Sequence, residues 1–192
     1  MTIDAAFTNF PTLSTKRLRL RAIRPDDAEA IFAIYSDEEA MRYYNETFQS
    51  LAEAEAYIVL RRDDYVQRRE IRWGITREDD DRIIGSCGLH HFDEGYYGEY
   101  YRAETGYILN RAFWGQGIMT EALSAVLTYG FTEMALHRIE AVIGIANERS
   151  KNLLLKLGFK YEGNLRQRFR FRGSFEDEHY FGLLHDEWRP PA

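Results

Sequence analysis

Apolar residues recur along this chain with two periods, and the switches between them mark out its elements. Leu18, Leu20 and Ala22 alternate with Arg17, Arg19 and Arg21, which predicts a first strand with one wet face. Pro25 fixes φ in a first helical turn, where no intrahelical N–H bond is needed, and Asp26 and Asp27 suit the positive end of the dipole. Ala28, Ile31, Phe32 and Tyr35 follow at helical spacing. Ser50 and Glu53 form a capping-box pattern ahead of a second helix, which carries Ala54, Tyr57, Ile58 and Tyr65 on one side. Ile71, Trp73 and Ile75 alternate as a strand, and residues 82–92 make another. Glu78-Asp79-Asp80-Asp81 between them reads as a solvated hairpin turn.

The stretch from Glu104 to Met134 organises the rest. In residues 102–109, apolar Ala103, Tyr107 and Leu109 alternate with Arg102, Glu104 and Gly106, the period of a strand. A turn, Asn110-Arg111-Ala112-Phe113-Trp114-Gly115-Gln116-Gly117-Ile118-Met119-Thr120, leads into a long helix. Its polar Thr120, Ser124, Thr128 and Thr132 recur every fourth residue and apolar side chains fill the other sides, which predicts a helix buried on most of its circumference. Gly115 and Gly117 leave backbone N–H groups uncovered where the helix dipole is positive, and such a place binds phosphate. Beyond the helix, Ile139, Ala141, Ile143 and Ile145 alternate as a further strand. Asn147 can cap a short helix, and Gly158 can end it in the left-handed conformation. Arg166, Arg168, Arg170 and Arg172 then share one strand face, opposite Phe169 and Phe171. That face is read as charged surface outside the core, or as a patch for an acidic partner or for a phosphate group of a bound ligand.

Composition narrows the class. A chain of 192 residues that is 45% hydrophobic suits one domain, residues 1–192, with a real core. No apolar run approaches the roughly eighteen residues of a membrane span, and the N-terminus lacks the pattern of a secretory signal. The single cysteine, Cys87, excludes an internal disulfide framework and fits a reducing compartment, so a cytoplasmic protein is expected. A net charge of −6 argues against a nucleic-acid binder and for a cationic substrate.

Three families use a glycine turn before a helix. A P-loop requires a lysine that is missing here, and a dinucleotide fingerprint requires a third glycine where Thr120 stands. The third is the GNAT acetyltransferases, whose pyrophosphate loop has the form [QR]-x-x-G-x-[GA]. Trp114-Gly115-Gln116-Gly117-Ile118-Met119 departs from it at the first and last positions. Those departures, and the Glu-Ala-Leu that follows, resemble the RimJ/RimL-type protein N-acetyltransferases. The opening Thr15-Lys16-Arg17-Leu18-Arg19-Leu20-Arg21, Ala103-Glu104-Thr105-Gly106-Tyr107, Asn147-Glu148-Arg149-Ser150 and Lys156-Leu157-Gly158-Phe159 agree with that resemblance, which spans Thr15 to Trp188.

The resemblance implies an α/β (α+β) fold. Its twisted, mixed, mostly antiparallel sheet of about seven strands carries helices on both faces and a splayed pair of parallel strands. It also implies acetyl-CoA as cosubstrate and no metal. The expected coenzyme site comprises Ile108, Leu109, Asn110, Trp114, Gly115, Gln116, Gly117, Ile118, Met119 and Thr120, with Asn147 and Asn152. The pantetheine arm would pair as an added strand in the splay between residues 104–110 and 138–146, and the backbone near Ile108 would donate to the thioester carbonyl. Glu104 is the candidate base. Ser150 is a candidate for hydrogen-bonding the sulfur, since the position of the usual tyrosine acid is held by Leu154. Tyr43, Tyr44, Trp73 and His90 are candidate acceptor contacts, and residues 93–101 form a loop expected near them.

Two other chemistries are set aside. Cys87 has no cationic sequence neighbour to make it a nucleophile, and direct attack by an amine needs no covalent intermediate. His90 and His91 beside Glu94 invite a metal reading, but adjacent residues on a strand point to opposite faces. The leading expectation is transfer of acetyl to a protein N-terminal amine. Small amines such as an aminoglycoside, a polyamine or an amino acid are rival acceptors. A non-catalytic acyl-CoA-binding module is the alternative from another class. Neither nucleic acid nor membrane is an expected partner; a second copy of the chain is admitted as one.

Overall fold

Alternation of apolar and polar residues builds eight strands among the described residues: β1 (Leu13–Ser14), β2 (Leu18–Ala22), β3 (Glu70–Arg77), β4 (Asp80–Glu94), β5 (Tyr100–Leu109), β6 (Arg138–Gly144), β7 (Lys160–Phe171) and β8 (Ser174–Leu184). They form one sheet in the order β1-β2-β3-β4-β5-β6-β8-β7. Every neighbouring pair is antiparallel except β5 with β6. The strand beyond the seven expected is β1, whose two residues are too short to leave a periodic signal. Five α-helices accompany them: α1 (Ile3–Ala6), α2 (Ala28–Tyr35), α3 (Leu51–Val66), α4 (Ile118–Thr132) and α5 (Glu148–Lys156). This computed structural model describes residues 3–44, 46–94 and 100–190, without the side chains of Asp4, Glu94 and Tyr100. Asn45, and residues 95–99 of the expected acceptor loop, therefore lie outside the described residues.

The core lies in two slabs, one on each face of the sheet. Leu123, Val126 and Leu127 of α4 are wholly buried against Leu20, Ile71, Trp73, Ile75 and Leu89 on one face. Ile31 and Ile34 of α2 and Ala54 and Ile58 of α3 cover the other, where they meet Ile83 and Ile108. The hydroxyls spaced by four along α4 bond back along the helix: Ser124 donates to Thr120 O at 2.7 Å and Thr128 to Ser124 O at 2.8 Å. That pairing lets polar residues ride a helix enclosed on most sides.

Five expectations change. Trp73 is not at the acceptor: it is 0% exposed, its Nε1 donates to Pro11 O at 2.7 Å, and its ring meets Phe10 and Tyr129. Strand alternation separates two faces without telling what covers each, and both faces of β3 are buried. Arg21 is not on a wet face but is 3% exposed. Its guanidinium donates to both oxygens of Asp27 at 2.8 Å, and Asp81 at the start of β4 completes the cluster. The expected arginine face is interrupted: β7 ends at Phe171, so Arg172 lies beyond it, and a bulge between Leu165 and Phe169, where Asp177 accepts from Gln167 N at 2.9 Å and Gln167 takes a φ of 50°, leaves Arg168 paired with Glu178 at 2.8 Å. Finally, β6 stops at Gly144 and leaves Ile145 exposed. Glu53 also varies the capping box, since its carboxylate accepts from Gln49 N and from the Ser50 hydroxyl instead of exchanging bonds with the Ser50 backbone.

Removing Asp27 leaves buried Arg21 with Asp81 as its remaining carboxylate, so the cost falls at the lower end of the about 3–5 kcal/mol of a fully stranded charge. Asp27→Ala is therefore expected to lower Tm by roughly 10 °C, at about 2–4 °C per kcal/mol for a chain of this size. Thermal denaturation checks it; a drop under two degrees would mean that water reaches Arg21.

Candidate active site

The site is built where the one parallel pair comes apart. β5 and β6 are paired only from Arg102↔Arg138 to Glu104↔Glu140, and beyond that the strands separate. Residues 105–109 therefore have an edge without a strand partner. Asn110 N donates to Ile84 O of β4 at 2.8 Å, so by alternation Ile108 also turns its N–H and C=O toward β4. The expected backbone near Ile108 is thus narrowed to its neighbours: Tyr107 and Leu109 turn their amides to the open edge. Two tyrosines of the α2–α3 connection cross the opening. Tyr44 donates its hydroxyl to Tyr107 O at 2.7 Å, and Tyr43 donates to Ala146 O at 2.9 Å.

The glycine turn closes one end of the opening. Asn110 caps a short 3-10 turn, Arg111–Phe113, by accepting from Ala112 N at 3.0 Å. Trp114 anchors the turn by donating Nε1 to Leu109 O at 2.9 Å. Gly115 and Gly117 both take a φ of 74°, which costs an L side chain about 1–2 kcal/mol. Gly117 is the N-cap of α4 and offers no side-chain acceptor, so the first amides of the helix have neither intrahelical nor cap partners. Ile118 and Met119 bury their side chains in the core and present only backbone here. Sequence reasoning missed Arg17. It is held by Glu121 of α4 at 2.6 Å, donates to Gln116 O at 3.1 Å, and stands 3.6 Å from where a Cβ on Gly117 would lie. A cavity of about 370 Å³, lined by Arg17, Arg77, Phe113, Gln116 and Ile118 among others, adjoins the turn. Free amides, a dipole terminus and a cation make this cradle fit a pyrophosphate.

The α5 side of the opening carries hydroxyls. Asn147 accepts from Ser150 N at 3.1 Å, as an N-cap, and Gly158 ends the helix with a φ of 90°. Asn152 lies exposed on α5, and Leu154 is fully buried. Ser150 Oγ instead meets the Tyr107 hydroxyl at 2.5 Å. Burial pushes Tyr107 above the usual tyrosine range, with the bond to Ser150 opposing it, so Tyr107 is protonated at neutral pH and either hydroxyl can donate to the other. Its role was hidden because it reads as one of the strand's apolar residues.

The opposite face carries the carboxylate. Glu104 and His90 are cross-strand partners on β5 and β4. The expectation that His90 and His91 point to opposite faces fails. β4 bulges between His90 and Asp93, His91 takes a φ of 50°, and the two rings stand 4.5 Å apart. His91 Nδ1 lies 3.4 Å from Glu104 Oε2. Burial, then the nearby Arg72, pushes His90 down to about 3, so it is neutral. Gly106 provides the room here, because a Cβ would lie 3.1 Å from His90 Nε2 and 3.3 Å from Arg72 Nη2. Tyr35 and Tyr57, with hydroxyls 2.7 Å apart, wall this face. Cys87 is fully enclosed and its thiol is pushed up to about 12 by burial, which removes it as a nucleophile.

A mixed sheet opened at one parallel pair, with a glycine turn capping the helix beside the opening, defines a GNAT-type acyltransferase. The chain belongs to that family: residues 17–160 match the acetyltransferase (GNAT) domain. It is 41% identical over 176 residues to the uncharacterised N-acetyltransferase YoaA of Bacillus subtilis, covering 91% of this chain and 97% of the relative. It is 26% identical to the ribosomal protein uS5-alanine N-acetyltransferase of Escherichia coli, over 93% of each chain. The crystal structure of a GNAT-family acetyltransferase from Bacillus anthracis superposes with a TM-score of 0.79 at 25% identity, covering 92% of this chain and all of that one. The protein is thus an acetyltransferase. Among the described residues, no helix is long and apolar enough to cross a membrane.

Proposed function

We propose that this chain transfers acetyl from acetyl-CoA to a primary amine, with the N-terminal α-amine of a protein as the leading acceptor and a small amine as the rival. The observation that carries the reading is the loss of β5–β6 pairing beyond Glu104 beside the uncovered start of α4. Pyrophosphate sits on the amides of residues 115–120 with Arg17 alongside. The amide-rich pantetheine pairs along residues 105–109 after displacing the Tyr43 and Tyr44 hydroxyls. The thioester carbonyl then accepts from the Tyr107 amide as charge develops on it. The amine enters from the face of Glu104 and His90. Glu104 takes its proton, directly or through one water; the N–C bond forms, the C–S bond breaks, and Ser150 with Tyr107 hydrogen-bonds the departing sulfur. The lone cysteine fits work in the cytoplasm.

Proton demand separates the acceptors. An α-amino group titrates near ~8 and a lysine near ~10.4, so at pH 7 about a tenth of the former is neutral but less than a thousandth of the latter. A site with one carboxylate base suits the former. Peptides with free Ala or Ser N-termini are expected to be acetylated at the α-amine and not at internal lysines. Release of free CoA reports turnover and mass spectrometry locates the group. Transfer to lysine beside a free N-terminus would refute the preference, and turnover with small amines alone would favour the rival. The name of the uS5-alanine relative supports the leading acceptor.

A further inference from the structure

We propose that His90, His91 and Glu104 form a binding site for one zinc-like divalent transition metal, which shuts the site down by occupying Glu104. One nitrogen of each imidazole and one carboxylate oxygen lie within 4.8 Å of one another. A tetrahedral zinc ion with bonds of about 2.0–2.2 Å sets its ligands about 3.4 Å apart. His91 Nδ1 and Glu104 Oε2 already stand at 3.4 Å. Closing the remainder takes about an ångström of side-chain rotation, and the His91 side chain, 75% exposed, is free to make it.

Three features of the fold prepare this cluster. The register fixes His90 opposite Glu104. The bulge turns His91 onto the same pair through a left-handed backbone, which costs a non-glycine residue about 1–2 kcal/mol and is the kind of strain that gathers at functional sites. The Nδ1 of His90 is buried with no hydrogen-bond partner, so no other group of the fold engages it. The cations that bear on His90, Arg72 and Arg61, are both paired with Glu70 and offer less opposition to a dication than free charges would. Two imidazoles and one carboxylate select zinc, cobalt or nickel over magnesium and calcium, which prefer oxygen alone. Three protein ligands leave a fourth position for water. With one oxygen on the metal, the Glu104 carboxylate is a much weaker base, and the ion stands where the proton of an amine would go.

Binding does not depend on the proposed acceptor, so it is tested directly. Zinc chloride is titrated by calorimetry into chelator-treated, tag-free protein without CoA, whose thiol would itself bind zinc. One equivalent is expected to bind in the micromolar range or tighter, and His91→Ala and Glu104→Gln each to weaken it at least roughly tenfold. His185→Asn, far along the chain beside Asp186, is expected to change nothing. No binding by the folded protein up to about 100 µM zinc, or undiminished binding by His91→Ala, would overturn the site. Failure of acetyl transfer with zinc binding intact would count against the proposed function alone.

Discussion

Gly117→Glu is expected to abolish acetyl-CoA binding in a protein that still folds. A Cβ at this position meets only Arg17 Nη2, at 3.6 Å, so bulk is tolerated, and the left-handed φ of 74° costs about 1–2 kcal/mol. The new carboxylate would lie at the uncovered end of α4 and pair with Arg17, taking the place of the phosphate. It would also repel the diphosphate: two like unit charges 4 Å apart repel by about 1 kcal/mol in water and about 4 kcal/mol near a protein surface, or roughly five- to a thousandfold in affinity. Gly117→Ala carries the backbone strain without the charge and should lose far less. Calorimetry with CoA reads both variants. Equal Kd values for wild type and folded Gly117→Glu would remove the pyrophosphate from this turn.

Glu104→Gln should separate chemistry from binding. Glutamine keeps the shape and can still bond His91, but it cannot take a proton. A general base is worth about 10²–10⁴-fold, so kcat should fall by that factor while the Kd for acetyl-CoA stays within a factor of two or so. Raising the pH supplies neutral amine without help, and the deficit should shrink as the acceptor deprotonates. A two- or three-fold loss at neutral pH, flat with pH, would make Glu104 a structural residue.

Much of this was readable before the structure because it rests on local rules. The glycines at 115 and 117 stand where the backbone must be left-handed, and Asn147 and Gly158 bracket α5 as a cap and a stop should. Alternation finds the strands but does not say that both faces of β3 are covered, or which of them lies toward Glu104, so it does not reveal that Trp73 packs under α4. The histidine cluster was out of reach. Its bulge uses no glycine or proline, so nothing in the local sequence announces that residue 91 leaves the strand geometry. Arg17 and Gln116 lie ninety-nine positions apart and Tyr107 and Ser150 forty-three, and contacts of that range belong to the sheet order, not to any motif. The open strand edge was expected from the resemblance, whereas which amides it presents followed only from the register.

The two tyrosines across the opening answer a hazard that any parted sheet creates. Unpaired N–H and C=O groups in a row are a template for a foreign strand, and exposed edges of this kind drive self-association. Here Tyr44 occupies Tyr107 O and Tyr43 occupies Ala146 O, so each bank of the gap has a carbonyl already bonded. Each such bond contributes only about 1 kcal/mol net, little enough for a well-matched coenzyme to replace. A stray peptide, which must also lose its own conformational freedom, gains less from the exchange. Between catalytic cycles the chain thus guards its own seam against aggregation.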